Sequence, residues 1–189
     1  AQTIRLLVRR PRGEFPDNVE FRTHLSIRSI PPTPRLEDIE SNQRAADDEM
    51  LSVQPVVTVE TVIPILARFG DPEASIALTN PRLVLDDPDL EYPLLTVDME
   101  RHGDRSVYGD FDVFHIAPDG TEQNIYIARG LAVYSPLTKR TKTIRLKGVN
   151  PALLRSGLLR VVYTETPDMH GDQVAELVIT LGTEGIGTE

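Results

Sequence analysis

Cysteine is absent from the 189 residues, which removes both a disulfide scaffold and any thiolate metal site and leaves the redox compartment open. Long apolar runs are absent as well. No stretch approaches the roughly 20 residues needed to cross a bilayer as a helix, so membrane insertion is not expected. The amino terminus does not show the basic, apolar and small-residue order of a secretion signal, and position 1 is alanine, which is compatible with a signal already removed. Signatures of catalysis are also lacking. There is no Gly-x-Ser-x-Gly elbow and no cysteine nucleophile. No pair of carboxylates is marked out for glycoside hydrolysis. His24, His102, His115 and His170 are scattered without a spacing that suggests a shared metal. Asp98, Glu100, Asp104, Asp110 and Asp112 are dense enough to raise calcium, but no loop of the calcium-binding type surrounds them. The expectation is therefore no enzymatic activity and no cofactor.

The charge balance excludes a further class. Lys and Arg number 20 against 29 Asp and Glu, a formal net charge of −9. Phosphate-backbone binding rests on cations neutralising phosphates, so nucleic acid is disfavoured as a partner. Two local basic clusters stand out, at Arg5, Arg9, Arg10 and Arg12, and at Lys139, Arg140, Lys142, Arg145 and Lys147. Both read as wet strand faces and as edge charges that discourage edge pairing.

What the chain does contain is a succession of short β patterns. Residues 51–69 form the central one. Val53, Val57, Val59 and Thr61 share one parity against Gln54, Thr58 and Glu60, and the stretch then becomes apolar on both parities through Val62, Ile63, Pro64, Ile65 and Leu66. Alternation and β-branched richness predict a strand, its second half buried on both faces. The stripe of Val53, Val57 and Val59 fits its own core and an outside groove equally well on pattern alone.

Ahead of it, residues 1–11 read as a strand, with Ile4, Leu6 and Val8 opposed by Thr3, Arg5 and Arg9. A second one-face-wet strand follows, setting Val19, Phe21, Leu25 and Ile27 against Glu20, Arg22, His24 and Arg28. Residues 33–50 are polar and acidic, a loop whose length suggests a functional or mobile role. Gly70 and Pro72 then mark the domain boundary. Beyond it, strands are expected over 74–85, 94–100, 110–116, 124–128, 131–134, 142–147, 158–164 and 174–181, with Pro118, Asp119 and Gly120 as a hairpin turn. About eight strands suffice for an antiparallel sandwich of immunoglobulin-like type. The three strands before Gly70 cannot close one. That module is expected to be incomplete in this chain, or completed by another.

The order QTIRLLVRRPRG, FRTHLSIRSIPP, a polar loop and VVTVETVIPILAR resembles the second half of the first domain of PapD-like periplasmic pilus-assembly chaperones. GDFDVF, GLAVYSPLTKRTKTIRL, GLLRVVYTE and AELVITL resemble that family's second domain. The resemblance implies an all-β protein of two immunoglobulin-like sandwich modules. Residues 1–69 would be the second half of the first domain, with the lent strand at about 51–68, and residues 70–189 the second domain. The leading strands and the signal would precede the residues given. It further implies a periplasmic location, pilin-like subunits and an outer-membrane usher as partners, and donor-strand complementation as the activity: the chaperone lends a strand whose alternate side chains fill an incomplete subunit's groove. A neighbouring subunit's extension would later replace that strand. Val53, Val57, Val59 and Thr61 would be the inserting residues. The family's carboxylate-anchoring Lys position falls at Pro64, and Arg68, four residues on with the same parity, is the candidate anchor. A structural or adhesive two-module surface protein is the alternative.

Overall fold

The structure is a computed structural model that describes residues 3–9, 12–14, 16–31, 57–85, 87–167 and 174–182. The chain divides into two units, Ala1–Phe21 with Ala67–Glu189, and Arg22–Leu66. Among the described residues the fold is all-β. In order the strands are β1 (Val19–Arg28), β2 (Glu60–Phe69), β3 (Ala74–Val84), β4 (Leu94–Gly103), β5 (Val107–Ile116), β6 (Glu122–Val133), β7 (Lys139–Arg145), β8 (Gly157–Glu165) and β9 (Val174–Leu181), with a 3-10 helix at Pro151–Arg155. They form a ribbon β1-β2, a three-stranded sheet β3-β4-β7 and a four-stranded sheet β6-β5-β8-β9. All the pairings resolved in the two larger sheets are antiparallel.

Strict alternation explains why the larger sheets meet face to face. Leu95, Val97 and Met99 of β4, Phe111 and Val113 of β5, and Leu159, Val161 and Tyr163 of β8 all share odd parity and are fully buried. They join Ile76, Leu78, Ile144 and Ile179 in one core, the arrangement of a β-sandwich. The intervening even residues, such as Asp112, Arg160 and Val162, point outward and are part-exposed. Tyr163 brings a polar group inside and satisfies it, its hydroxyl donating to Leu131 O at 3.1 Å.

The turn chemistry agrees with the residues that supply it. Between β5 and β6, Ala117 N–H donates to Thr121 O at 2.9 Å, and Gly120 adopts φ +86°, a region open to glycine. Asp119 closes the turn by accepting from Thr121 N–H at 2.9 Å. Ahead of β8 Asn150 caps the 3-10 helix by accepting from Ala152 N–H at 3.0 Å, and Leu154 is carried into the core.

Three expectations differ from what is observed. Residues 3–9 form no strand and are exposed throughout. Their alternation supplies a side-chain pattern, but among the described residues no strand pairs with their backbone. The stretches at 124–128 and 131–134 are one strand, β6, because Gly130 turns through φ +69° and its N–H is held by Asp110 Oδ1 at 3.2 Å. Finally, Val62 and Ile63, expected to be buried on both faces, are about half exposed in a ribbon of only two strands.

Candidate partner-binding site

The β1-β2 ribbon turns its apolar side chains outward. Val57 and Val59, just ahead of β2, are 76% and 61% exposed, and Thr61 on β2 is exposed as well. Val62 and Ile63, on opposite faces of β2, and Ile27 on β1 are exposed apolar residues too. Single exposed hydrophobics are ordinary on a protein surface, whereas a contiguous patch of them is a common feature of interaction surfaces. Val53 lies outside the described residues, as does the whole acidic stretch at 33–50.

The backbone at this point is half committed. Ser29 N–H donates to Val59 O at 2.8 Å, and Val59 N–H donates to Ser29 Oγ at 2.9 Å. Ser26 Oγ donates to Glu60 Oε1 a little further along. Both backbone groups of Val59 are thus spent on the β1 side. In an extended chain the adjacent residues, Thr58 and Glu60, direct their N–H and C=O groups the opposite way. The residue types at 57–63 therefore present apolar side chains on alternate positions and backbone hydrogen-bonding groups along an edge.

Arg68, the candidate anchor, is placed differently from a free surface cation. Its Nε donates to Glu20 Oε2 at 2.8 Å, and the Glu20 side chain is fully buried. Glu20 also accepts from Ser106 N–H at 3.0 Å and from the Ser106 hydroxyl, which in turn accepts from Ser135 N–H at 2.9 Å. Nearby, both guanidinium nitrogens of Arg105 hold the two carboxylate oxygens of Glu165, the Nη2 to Oε2 bond measuring 3.1 Å. Arg101 donates to Leu137 O at 2.9 Å, Gly103 O at 2.6 Å and Arg105 O at 2.8 Å. Desolvation lowers the pKa of Arg101, and the neighbouring Glu20 and Asp104 carboxylates oppose that shift.

The alternation of β1 misassigns Glu20, which it places on a wet face. Burial is tolerated because Glu20 meets a cation and two donors at once, the condition under which a buried charge is retained. The signal in the sequence was the charged cluster Arg101, Asp104 and Arg105 beside Ser106, too rich in charge for an ordinary turn. Ser106 and Glu165 are buried, while the Arg68 side chain stays partly exposed.

Elsewhere, a recess of about 320 Å³ is lined by Asp89, Leu90, Glu91, Tyr92, Arg145 and Lys147. Lys147 stands 5.8 Å from the Tyr92 ring centre, and the two acids offset the two bases, so the recess favours no ligand charge. Among the described residues no group of three or more His, Asp or Glu is gathered to hold a metal ion. Comparison with known protein families, with curated proteins and with solved structures finds no match.

Proposed function

We propose that this chain is a strand-donating chaperone of the PapD-like kind, holding pilin-like subunits in the periplasm until a neighbouring subunit takes over. The observation that carries the proposal is the exposure of Val57 and Val59 in the segment leading into β2, where Val59 is bonded by Ser29 and by no other backbone partner among the described residues. Such an edge supplies main-chain bonds to an added strand, and its alternate side chains supply pocket specificity. Burying one aliphatic side chain contributes roughly 1.5 to 3 kcal/mol, so two valines offer a few kcal/mol before ordering costs.

The seven strands after Gly70 support the immunoglobulin-like part of the reading. Numbered along the chain, the first, second and fifth share one sheet and the third, sixth and seventh the other, as in the constant-type sandwich. The fourth, β6, lies beside the third instead of joining the first sheet. Donation rests on the valines and leaves Arg68 with Glu20. It requires neither cofactor nor catalytic group.

Capture by purified chain of a pilin-like subunit lacking its last strand provides the test. Val57→Asp and Val59→Asp should each weaken capture by at least about tenfold, since a charge must then enter an apolar groove. Thermal melting should stay at the wild-type value because both side chains are already in water. Undiminished capture by both variants would overturn the proposal.

A further inference from the structure

Among the described residues the sandwich has four edge strands, and three carry devices that block pairing with another chain. On β3, Pro81 and Asn80 at φ +48° accompany a register break between Thr79 and Arg82. On β7, four of the seven residues in Lys139–Arg145 are basic. The β6 edge brings Glu122 and Arg129, the turn at Gly130 and two breaks in its register with β5. Charges, prolines and bulges are the usual protections of exposed edges.

β9 carries the fewest of them. Its sequence VAELVITL contains one charge and neither Pro nor Gly, and it pairs with β8 in unbroken register from Val174 to Leu181. Its other edge is bonded by no strand among the described residues. Val174 and Val178 on its outer face are 62% and 48% exposed. Across the sheet, Val178 stands in register with Arg160, which in turn opposes Phe114 and lies 4.5 Å from that ring centre.

We infer that β9 is the contact through which two copies of this chain associate, antiparallel and edge to edge, joining two four-stranded sheets into one of eight. The pattern of β9 selects a second copy as the occupant. With Val178 on the two-fold axis, Val178 faces Val178 of the other copy and Glu176 faces Thr180. On the inner side Leu177 faces Ile179 and Ala175 faces Leu181. No like charges oppose one another, and every remaining opposed pair between 175 and 181 is apolar. Centring on Glu176 would set two carboxylates against each other, and centring on Leu177 would set each Glu176 against a valine, so Val178 is favoured over both. The contact is isologous and closes at two copies, unlike the open assembly of a stalk. It uses a different strand from donation and stands whether or not that reading holds.

Sedimentation across the micromolar range reads the association. Wild type should show a monomer-dimer equilibrium, and Val178→Lys should weaken it by about tenfold or more by placing two ammonium groups face to face. Mixing Val178→Lys with Val178→Glu should restore the dimer as a heterodimer, since opposite charges then meet on the axis. Position 178 faces solvent, so each variant should melt as the wild type does, and Val57→Asp should leave the dimer intact. A monomeric wild type, a Val178→Lys protein that dimerises normally, or a mixture that stays monomeric would each overturn the inference.

Discussion

Asp98 shows how one side chain ties three strands together. It is nearly buried on β4 and accepts from Asn80 Nδ2 on β3 at 3.0 Å and from Thr141 Oγ1 on β7 at 2.6 Å. Lys139 Nζ approaches it at 2.6 Å. These partners, Lys139 first and then Thr141 and Asn80, pull its pKa down from 3.8 to about 2. A carboxylate depressed in the folded state stabilises the fold above its unfolded pKa, and that contribution is lost as pH falls through about 2. Asp98→Asn should therefore cost about 1 to 2 kcal/mol at neutral pH, and urea midpoints of the two proteins should converge between pH 4 and pH 2. The acid's position on a strand was legible in the sequence. Its partners were not, because Asn80 and Thr141 lie 18 and 43 residues away.

At the scale of the element, β5 is the strand that both neighbours press upon. A Cβ added at Gly109 would meet Thr164 O at 2.2 Å and Glu165 Cα at 2.8 Å, both backbone atoms of β8. Neither can move without disturbing the ladder that carries Phe111 opposite Tyr163. Gly109→Ala should thus destabilise the protein by about 2 to 3 kcal/mol, measured as a lowered urea midpoint at unchanged slope. The hairpin after β5 could be read from Pro118, Asp119 and Gly120, since turn residues act locally. The burial of β2 could not. Val62 and Ile63 satisfy the pattern of a strand covered on both faces, yet among the described residues their sheet is a ribbon of two strands and both stay about half exposed. The same alternation in 3–9 yields no strand for want of a backbone partner among the described residues.

Across the whole molecule, the buried hydrophobic core of the described residues falls within residues 76–181. Amide exchange should reflect this. Protection should be greatest in β4, β5 and β8, whose side chains are sealed in the core, and least at residues 57–64, which hydrogen-deuterium exchange would show as rapid loss of the amide signal. Equal protection in the two regions would contradict this distribution of stability. Much of the larger fold was written in local pattern: period-two alternation and Gly, Pro and Asp punctuation determined that the chain is all-β and where most strands and turns fall. Composition alone disfavoured thiolate chemistry and nucleic-acid binding. Tertiary structure alone decided which alternating stretches acquire neighbours, that Glu20 would be buried against Arg68 and Ser106, and that Val57 and Val59 would stay in water. Periodicity specifies which side chains share a face, but what covers that face depends on segments distant in the chain.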